Sequence, residues 1–244
     1  MFKYILWDID GTILNFKEAE KRAILQCFKE LGLGLCSDEM LSTYSSINDS
    51  YWKSHERGEI SKGDLLIRRF EDFFRVYSLE GDAAKFNNLY QIRLGDTAVY
   101  NDDIKPFLLK IKNNYPEIKQ CAVTNGTAVA QERKLKNSGL DRILDYVFIS
   151  EKVGTSKPDK EFFERVFELL LKNTDGKESE SFNEKAIDRD EVIIVGDSLT
   201  SDIKGGMNAG IKTCYYNPDK LSYSDEYRVD YEISNLNELE NILF

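Results

Sequence analysis

Two aspartates separated by a single residue follow the first apolar run of the chain. Asp8 and Asp10 lie in the sequence DIDGT, directly after the strand-like residues 2–7. A carboxylate can attack phosphorus and form an aspartyl-phosphate, and a second acid can protonate the leaving oxygen and then activate water. An Asp-rich turn that caps the next helix would have the same residues. The pair by itself permits either phosphoryl chemistry or a simple turn.

Two further motifs offer groups that could bind a phosphate. Thr124, Asn125 and Gly126 end another apolar run and precede a helical pattern, so their hydroxyl, carboxamide and backbone N–H groups could form an anion-binding cup. Lys157 precedes Pro158, which holds its backbone extended, and its ammonium could offset the charge of a phosphate. Taken singly, the first motif could be a capped turn and the lysine a solvated side chain.

Two more carboxylates, Asp197 and Asp202, follow the strand-like residues 192–195. In a parallel sheet the four turns would lie side by side, which brings these acids to Asp8 and Asp10. So many ionised carboxylates cannot share a partly desolvated site without a cation. Oxygen ligands without Cys or His favour Mg²⁺. The combination of nucleophile, metal and phosphate-binding groups predicts phosphoryl transfer.

The elements that must position these residues are short apolar runs that alternate with helical patterns. The strand-like runs are residues 2–7, 119–123, 146–149, 192–195 and 211–216. They are rich in Val, Ile and aromatic residues, as is typical of strands buried on both faces. The helical patterns between them are residues 104–111, 129–140 and 162–170. This alternation predicts an α/β fold with a parallel sheet and right-handed crossovers.

The region 17–94 breaks this alternation, because it has helical periodicity and no convincing strand. Its place after the first strand predicts a helical cap over the carboxyl edge of the sheet, where such sheets bind ligands. We predict a discontinuous core of residues 1–15 and 96–244 and a cap of residues 16–95. The polar segment 173–190 is predicted to be a mobile surface connection.

Composition narrows the class of partner. The chain has 244 residues, with 43 Asp and Glu against 33 Lys and Arg, and a formal net charge of −10. Nucleic acids and anionic membranes need clustered Lys and Arg, and no apolar run approaches the roughly 20 residues of a membrane span. Four scattered cysteines and one histidine do not match a disulfide framework or a zinc site. We expect a cytoplasmic monomer or small homo-oligomer whose partner is a small molecule, not a nucleic acid polymer or a membrane.

In order and spacing, these motifs resemble the four motifs of the haloacid dehalogenase superfamily. They are Asp8-x-Asp10-Gly-Thr, Thr124-Asn-Gly, Lys157-Pro and Gly196-Asp197-x-x-x-x-Asp202. The resemblance spans the chain apart from the cap and the C-terminal tail. It implies a Rossmann-like core with helices on both faces of the sheet and an all-helical cap inserted after the first motif.

The same resemblance implies roles for individual residues. Asp8 would be the nucleophile and Asp10 the general acid/base, and Lys157 would tie the phosphate to Asp8. The implied phosphate ligands are Thr124, Asn125, Gly126 and Lys157. Mg²⁺ would be bound by the Asp8 carboxylate, the Asp10 backbone carbonyl and Asp197, with Asp202 supporting them. The dehalogenases of the superfamily lack an acid at the position of Asp10, so its presence favours a phosphatase.

A narrower resemblance concerns the cap and the segment 149–154. Residues Asn48, Trp52, 58–60 and 69–70 are similar to those of the YjjG-type house-cleaning pyrimidine 5′-nucleotidases, which implies hydrolysis of nucleoside monophosphates. Asn48 and Trp52 are the candidate substrate contacts in the cap. Trp52 could stack on a base or pack in the cap core, and Asn48 lies one helical turn earlier on the same face. The alternatives are a sugar-phosphate or phosphoglycolate phosphatase, a phosphomutase, or a phospho-accepting or nucleotide-binding module without turnover.

Overall fold

A computed structural model of the chain describes residues 1–174 and 186–244. Most of the polar segment 173–190, predicted as a surface connection, lies outside the described residues. The strands are β1 (Tyr4–Trp7), β2 (Lys119–Thr124), β3 (Tyr146–Ile149), β4 (Val192–Gly196), β5 (Lys212–Tyr216) and β6 (Tyr231–Ile233). The helices are α1 (Phe16–Leu31), α2 (Asp38–Glu56), α3 (Lys62–Tyr77), α4 (Ala83–Asp96), α5 (Lys105–Asn114), α6 (Ala128–Ser138), α7 (Ser150–Val153), α8 (Lys160–Thr174), α9 (Lys204–Ala209) and α10 (Glu240–Leu243).

All strand pairs among the described residues are parallel, in the order β3-β2-β1-β4-β5-β6. At the centre of the sheet, Leu6 of β1 lies opposite Cys121 of β2 and Ile194 of β4. The predicted α/β class and its parallel sheet are confirmed. Strand β6 was not predicted, because its three residues are too short for a clear apolar pattern.

Helices cover both faces of the sheet. On one face, Leu6, Cys121 and Ile194 belong to a buried cluster that includes Phe162 and Val166 of α8. On the other face, the Gln120 amide reaches the carbonyl oxygen of Leu108 in α5. Burial on both faces explains why the central strands are mostly apolar and lack the regular alternation of polar and apolar residues that half-exposed strands have.

The chain divides into two compact units, one built around the sheet and one built of helices. The sheet unit consists of Met1–Leu14, Tyr100–Ala128 and Leu140–Phe244, and the helical unit consists of Asn15–Val99 and Val129–Gly139. The region without strands is helical, as predicted. Helix α6 groups with the helical unit from Val129 onward, although it directly follows the motif at the end of β2.

The first four helices of the helical unit begin at residues whose side chains accept a backbone hydrogen bond. These N-caps are Asn15, Ser37, Ser61 and Asp82. Each satisfies a backbone N–H that has no partner within its own helix. No helix in the described parts of the chain is long and apolar enough to cross a membrane.

Candidate active site

Three motifs lie at the carboxyl ends of adjacent central strands. Asp8 directly follows β1, Thr124 ends β2 and Asp197 directly follows β4. Lys157 lies in the loop between α7 and α8, which follow the next strand, β3. The parallel sheet therefore brings together residues that are far apart in the sequence.

The Lys157 ammonium lies at the centre of this cluster. Its Nζ donates to Asp8 Oδ1 at 2.7 Å, to Asp202 Oδ1 at 2.6 Å and to the Val123 carbonyl oxygen at 2.7 Å. Its side chain is only 1% exposed. Because an ammonium has three protons, these bonds use all of its donors. The lysine is therefore a fixed internal cation and not a solvated surface residue.

The second oxygen of Asp8 has a different environment from the first. Asp8 Oδ2 is buried and has no hydrogen-bond partner among the described residues. An unpartnered carboxylate oxygen in a protein interior is costly. This oxygen is therefore available to a ligand, whether a cation or the phosphorus atom of a substrate.

Asp197 is packed against the turn that follows Asp8. The Thr12 hydroxyl donates to Asp197 Oδ1 at 2.9 Å. Gly11 has φ +97°, and a Cβ at this position would collide with the Asp197 carboxyl group. Glycine is needed here both for its positive φ and for the close approach of the two loops.

Both carboxylate oxygens of Asp202 accept hydrogen bonds from other residues of the sheet unit. Oδ1 accepts from Lys157, and Oδ2 accepts from the backbone N–H of Ser198 at 3.1 Å. A Cβ on Gly196 would collide with the Asp202 side chain. This arrangement suits a residue that orients Lys157 better than one that binds a metal directly.

Hydrogen bonds also hold the residues of the predicted anion-binding cup, Thr124, Asn125 and Gly126. Thr124 is buried, and its hydroxyl accepts from the Gly126 N–H at 3.1 Å. The Asn125 carboxamide contacts the main chain of Lys157, donating to its carbonyl oxygen at 2.8 Å and accepting from its N–H at 2.9 Å. The Asn125 side chain therefore positions Lys157, and its direct contact with phosphate stays a prediction.

The cluster contains more negative than positive charge. Carboxylate oxygens of Asp8, Asp197 and Asp202 lie within 4.8 Å of one another. Burial raises the pKa of Asp8 well above its usual value, against the opposing effect of Lys157. Burial, and then repulsion by Asp202, raises the pKa of Asp197 to about 7. Burial alone would lower the pKa of Lys157, but Asp202 and Asp8 outweigh it and raise that pKa.

A divalent cation fits this charge balance. Three carboxylates beside one ammonium leave two negative charges without a counterion when all three are ionised. The donors offered by the three carboxylates are all oxygen atoms. Hard oxygen ligands suit Mg²⁺. The residues present therefore fit the predicted metal.

Asp10 lies in the turn between Asp8 and the start of α1. It is partly exposed, and two backbone hydrogen bonds close its turn. Gly11 N–H donates to the Leu14 carbonyl oxygen and Leu14 N–H donates to the Ile9 carbonyl oxygen, both at 2.8 Å. The turn is thus ordered around Asp10, and its acid/base role stays a prediction.

The two cap candidates lie on α2 in the helical unit. Asn48 is buried, donates to Glu20 Oε1 at 3.1 Å and accepts from Arg69 Nη1 at 2.6 Å. Trp52 is half-buried, and its ring meets the His55 ring edge-on, with centroids 5.9 Å apart. Asn48 is therefore part of a buried polar network, and contact of either residue with a substrate stays a prediction.

Sequence reasoning gave no role to three residues that hold the acidic cluster in place. They are Thr12, Ser198 and Asn101, whose amide donates to the carbonyl oxygens of Gly11 and Thr12. Thr12 ends the first motif and Ser198 directly follows Asp197, so their position was a usable signal. Asn101 is about 90 residues from the turn that it contacts, and no local pattern indicates it.

Comparison with known proteins yields relatives along the full chain. The HAD-hydrolase YfnB of Bacillus subtilis is 33% identical over 99% of this chain and 95% of that protein. The crystal structure of YfnB bound to magnesium has a TM-score of 0.84 at 32% identity and covers 99% of this chain and 98% of that chain. The pyrimidine 5′-nucleotidases PynA of Streptococcus pneumoniae and YjjG of Escherichia coli are 33% and 27% identical. Each alignment covers at least 98% of this chain and 95% of the relative.

Glyceraldehyde 3-phosphate phosphatase of Methanopyrus kandleri is 26% identical over 100% of this chain and 97% of that protein. The named activities of these relatives agree with the prediction of a phosphoric monoester hydrolase. The family model for haloacid dehalogenase-like hydrolases matches residues 5–216. The motif resemblance, the parallel fold and these matches agree, and the chain belongs to the haloacid dehalogenase-like hydrolase family.

Proposed function

We propose that this protein is a Mg²⁺-dependent phosphomonoester hydrolase that forms an aspartyl-phosphate on Asp8. The observation that carries the proposal is the asymmetry of the Asp8 carboxylate. Lys157 binds Oδ1 at 2.7 Å, whereas Oδ2 has no partner among the described residues. One oxygen is thereby held in place while the other can attack phosphorus.

In the proposed first step, Asp8 forms a bond to phosphorus as the bond to the leaving oxygen breaks. Asp10 gives its proton to the leaving alcohol, and afterwards takes a proton from the water that hydrolyses the aspartyl-phosphate. Lys157 supplies positive charge beside the phosphoryl oxygens, and Thr124 and Asn125 of the 124–126 loop are the proposed ligands of those oxygens. The products are the free alcohol and inorganic phosphate.

Asp8, the Asp10 backbone carbonyl and Asp197 are the residues that would hold Mg²⁺. When bound, this ion would neutralise charge on the phosphoryl group and on the carboxylates around it. Asp202 supports the site through Lys157 and Ser198. Thr12 keeps Asp197 directed toward the cluster.

The proposed substrate class is pyrimidine nucleoside 5′-monophosphates. Support comes from two relatives named as pyrimidine 5′-nucleotidases, which align along nearly the whole chain. A sugar phosphate is the second candidate, because another full-length relative is named as a glyceraldehyde 3-phosphate phosphatase. Both candidates use the same chemistry at Asp8.

A substrate panel separates the two candidates. We expect kcat/KM to be highest for UMP, CMP or their deoxy forms, compared with purine nucleotides, glyceraldehyde 3-phosphate and phosphoglycolate. A clear preference for the sugar phosphates would move the assignment to the second candidate. Formation of a phosphate isomer without release of free phosphate would identify a mutase.

The nucleophile is tested with Asp8→Asn and the matched control Asp225→Asn, which changes an exposed aspartate. Asp8→Asn should abolish turnover, and the control should retain it. Rapid acid quenching of the unsubstituted enzyme should leave a phosphoryl group on the peptide that contains Asp8. Normal turnover by Asp8→Asn contradicts the proposed mechanism.

A further inference from the structure

One residue outside the four motifs holds the turn that follows the nucleophile. Asn101 Nδ2 donates to the carbonyl oxygens of Gly11 at 3.0 Å and Thr12 at 2.9 Å. The Asn101 backbone N–H donates to the Ile13 carbonyl oxygen at 2.9 Å. A single asparagine therefore binds three consecutive carbonyl groups, an arrangement that we term the Asn101 clamp.

The clamped segment connects two of the acids. It begins directly after Asp10, and its Thr12 hydroxyl donates to Asp197 Oδ1 at 2.9 Å. The Gly11 backbone is packed so closely on Asp197 that no side chain fits between them. A shift of this segment would consequently move Asp10 and withdraw the Thr12 hydroxyl from Asp197.

The clamp is itself anchored on its other side. Asp102 and Asp103 have left-handed backbones, with φ of 52° and 50°. Asp102 Oδ2 accepts from the Leu236 N–H, and its carbonyl oxygen accepts from Asn237 Nδ2, both at 3.0 Å. Non-glycine residues keep such a conformation only where surrounding contacts impose it. The C-terminal segment thus helps to fix the backbone from which Asn101 reaches the turn.

We propose that Asn101 is a positioning residue that sets the places of Asp10 and, through Thr12, of Asp197 relative to Asp8. The inference rests on the proposed function, because it assigns Asn101 an effect on the proposed reaction. It differs from the motif roles, since Asn101 contacts only backbone carbonyl groups of the turn. A placement error of about 1 Å at a reacting group can cost on the order of a hundredfold in rate.

The test compares Asn101→Asp and Asn101→Ala with the control Asn113→Ala. Asn101→Asp keeps the shape of the side chain but replaces its N–H donors with an oxygen that repels the two carbonyl groups. Asn113→Ala removes the same kind of side chain from an exposed position on α5, away from the clamp and its anchor. Hydrogen exchange of the Gly11 and Leu14 amides reports the order of the turn, and steady-state kinetics with p-nitrophenyl phosphate and Mg²⁺ report its effect.

We expect both Asn101 variants to speed exchange in the turn and to lower kcat by about tenfold or more, with KM changed by less than about threefold. KM should be retained because the Asn101 variants leave Lys157 and the predicted anion-binding cup of residues 124–126 unchanged. Asn101→Asp should be at least as impaired as Asn101→Ala, and Asn113→Ala should resemble the unsubstituted enzyme.

If the Gly11 and Leu14 amides of the Asn101 variants exchange at the unsubstituted rate, the Asn101 clamp is wrong. If they exchange faster while kcat is unchanged, Asn101 has no positioning role in the reaction. If the unsubstituted enzyme has no phosphatase turnover, the proposed function fails separately. Calorimetric titration with Mg²⁺ then decides the clamp: weaker binding in both Asn101 variants supports the positioning of Asp197, and equal binding overturns it.

Discussion

The Asn125 carboxamide and the Lys157 peptide group form a reciprocal pair of hydrogen bonds. Asn125 Nδ2 donates to the Lys157 carbonyl oxygen at 2.8 Å, and the Lys157 N–H donates to Asn125 Oδ1 at 2.9 Å. This pair joins the end of β2 to the loop that precedes α8. It fixes the backbone from which the Lys157 side chain reaches Asp8 and Asp202.

Replacing the Asn125 amide nitrogen with an oxygen should displace the Lys157 backbone and its side chain. Asn125→Asp retains an acceptor for the Lys157 N–H but sets a second oxygen against the Lys157 carbonyl oxygen. We expect kcat with p-nitrophenyl phosphate to fall by roughly ten- to a hundredfold. Asn113→Asp, an exposed control on α5, should have normal kinetics. Unimpaired turnover by Asn125→Asp means that this bond pair does not position Lys157.

The excess negative charge at Asp8, Asp197 and Asp202 predicts a metal response. EDTA should abolish phosphatase activity and Mg²⁺ should restore it, and Mg²⁺ should raise Tm because it binds the folded state. Asp197→Asn should raise Tm in EDTA, since it removes a repelling carboxylate. The same variant should show a smaller rise in Tm on addition of Mg²⁺. A full Mg²⁺ response in Asp197→Asn would falsify its assignment as a ligand.

Alanine substitutions at Gly11 and at Gly34 separate two effects, the steric displacement of Asp197 and the strain of a backbone with positive φ. Both glycines have positive φ, at 97° and 86°, so Gly→Ala at either position should cost roughly 1–2 kcal/mol of stability. A Cβ at Gly11 meets the Asp197 carboxyl group, whereas one at Gly34 has nothing within 4 Å. We expect only Gly11→Ala to weaken Mg²⁺ binding and lower kcat. Equal activities of the two variants, measured at matched folded fractions, would exclude a steric role for Gly11.

The raised pKa of Glu20 predicts that the stability of the folded protein depends on pH. Burial raises the pKa of Glu20 from 4.5 to about 7, with smaller effects from Ser45, Asp49, Arg69 and Lys134. The folded state therefore holds a proton that the unfolded state has lost between these pH values. The stabilisation that this proton gives the folded state is fully present below about pH 4.5 and is lost as pH rises through about 7. The free energy of unfolding should fall by about 3 kcal/mol over this range.

Glu20→Gln should flatten this dependence, because an amide does not titrate. Urea unfolding monitored by circular dichroism at pH 5 and pH 8 measures it. The unsubstituted protein should lose more stability than Glu20→Gln over this interval, and Glu71→Gln, an exposed control on α3, should behave like the unsubstituted protein. Parallel pH profiles for all three proteins would show that Glu20 does not titrate differently on folding.

Much of the sheet and the order of the motifs could be predicted from local sequence. Apolar runs such as 119–123 and 192–195 mark strands buried on both faces, and the helical patterns between them require parallel pairing. Parallel pairing alone implies that Asp8, Thr124 and Asp197 share one edge. These predictions succeeded because periodicity and strand ends are properties of neighbouring residues.

Side-chain partners were much harder to predict. Lys157 resembles a surface lysine when taken alone, yet it is buried against two carboxylates. Asn48 was predicted as a candidate substrate contact, which stays a prediction, and the sequence did not indicate that both ends of its amide bind Glu20 and Arg69. In each case the partner lies far along the chain or on another helix, where local patterns carry no information.

The sequence alone therefore determined the candidate reactive groups, their order and the sheet edge that collects them, because these follow from residue type and from strand alternation. Only the tertiary structure decided which oxygen of Asp8 lacks a partner among the described residues, and that Asn101 binds the turn about 90 residues away. Hydrogen bonds of this kind depend on the relative placement of loops to within a few tenths of an ångström. That placement is set by packing of the whole sheet unit.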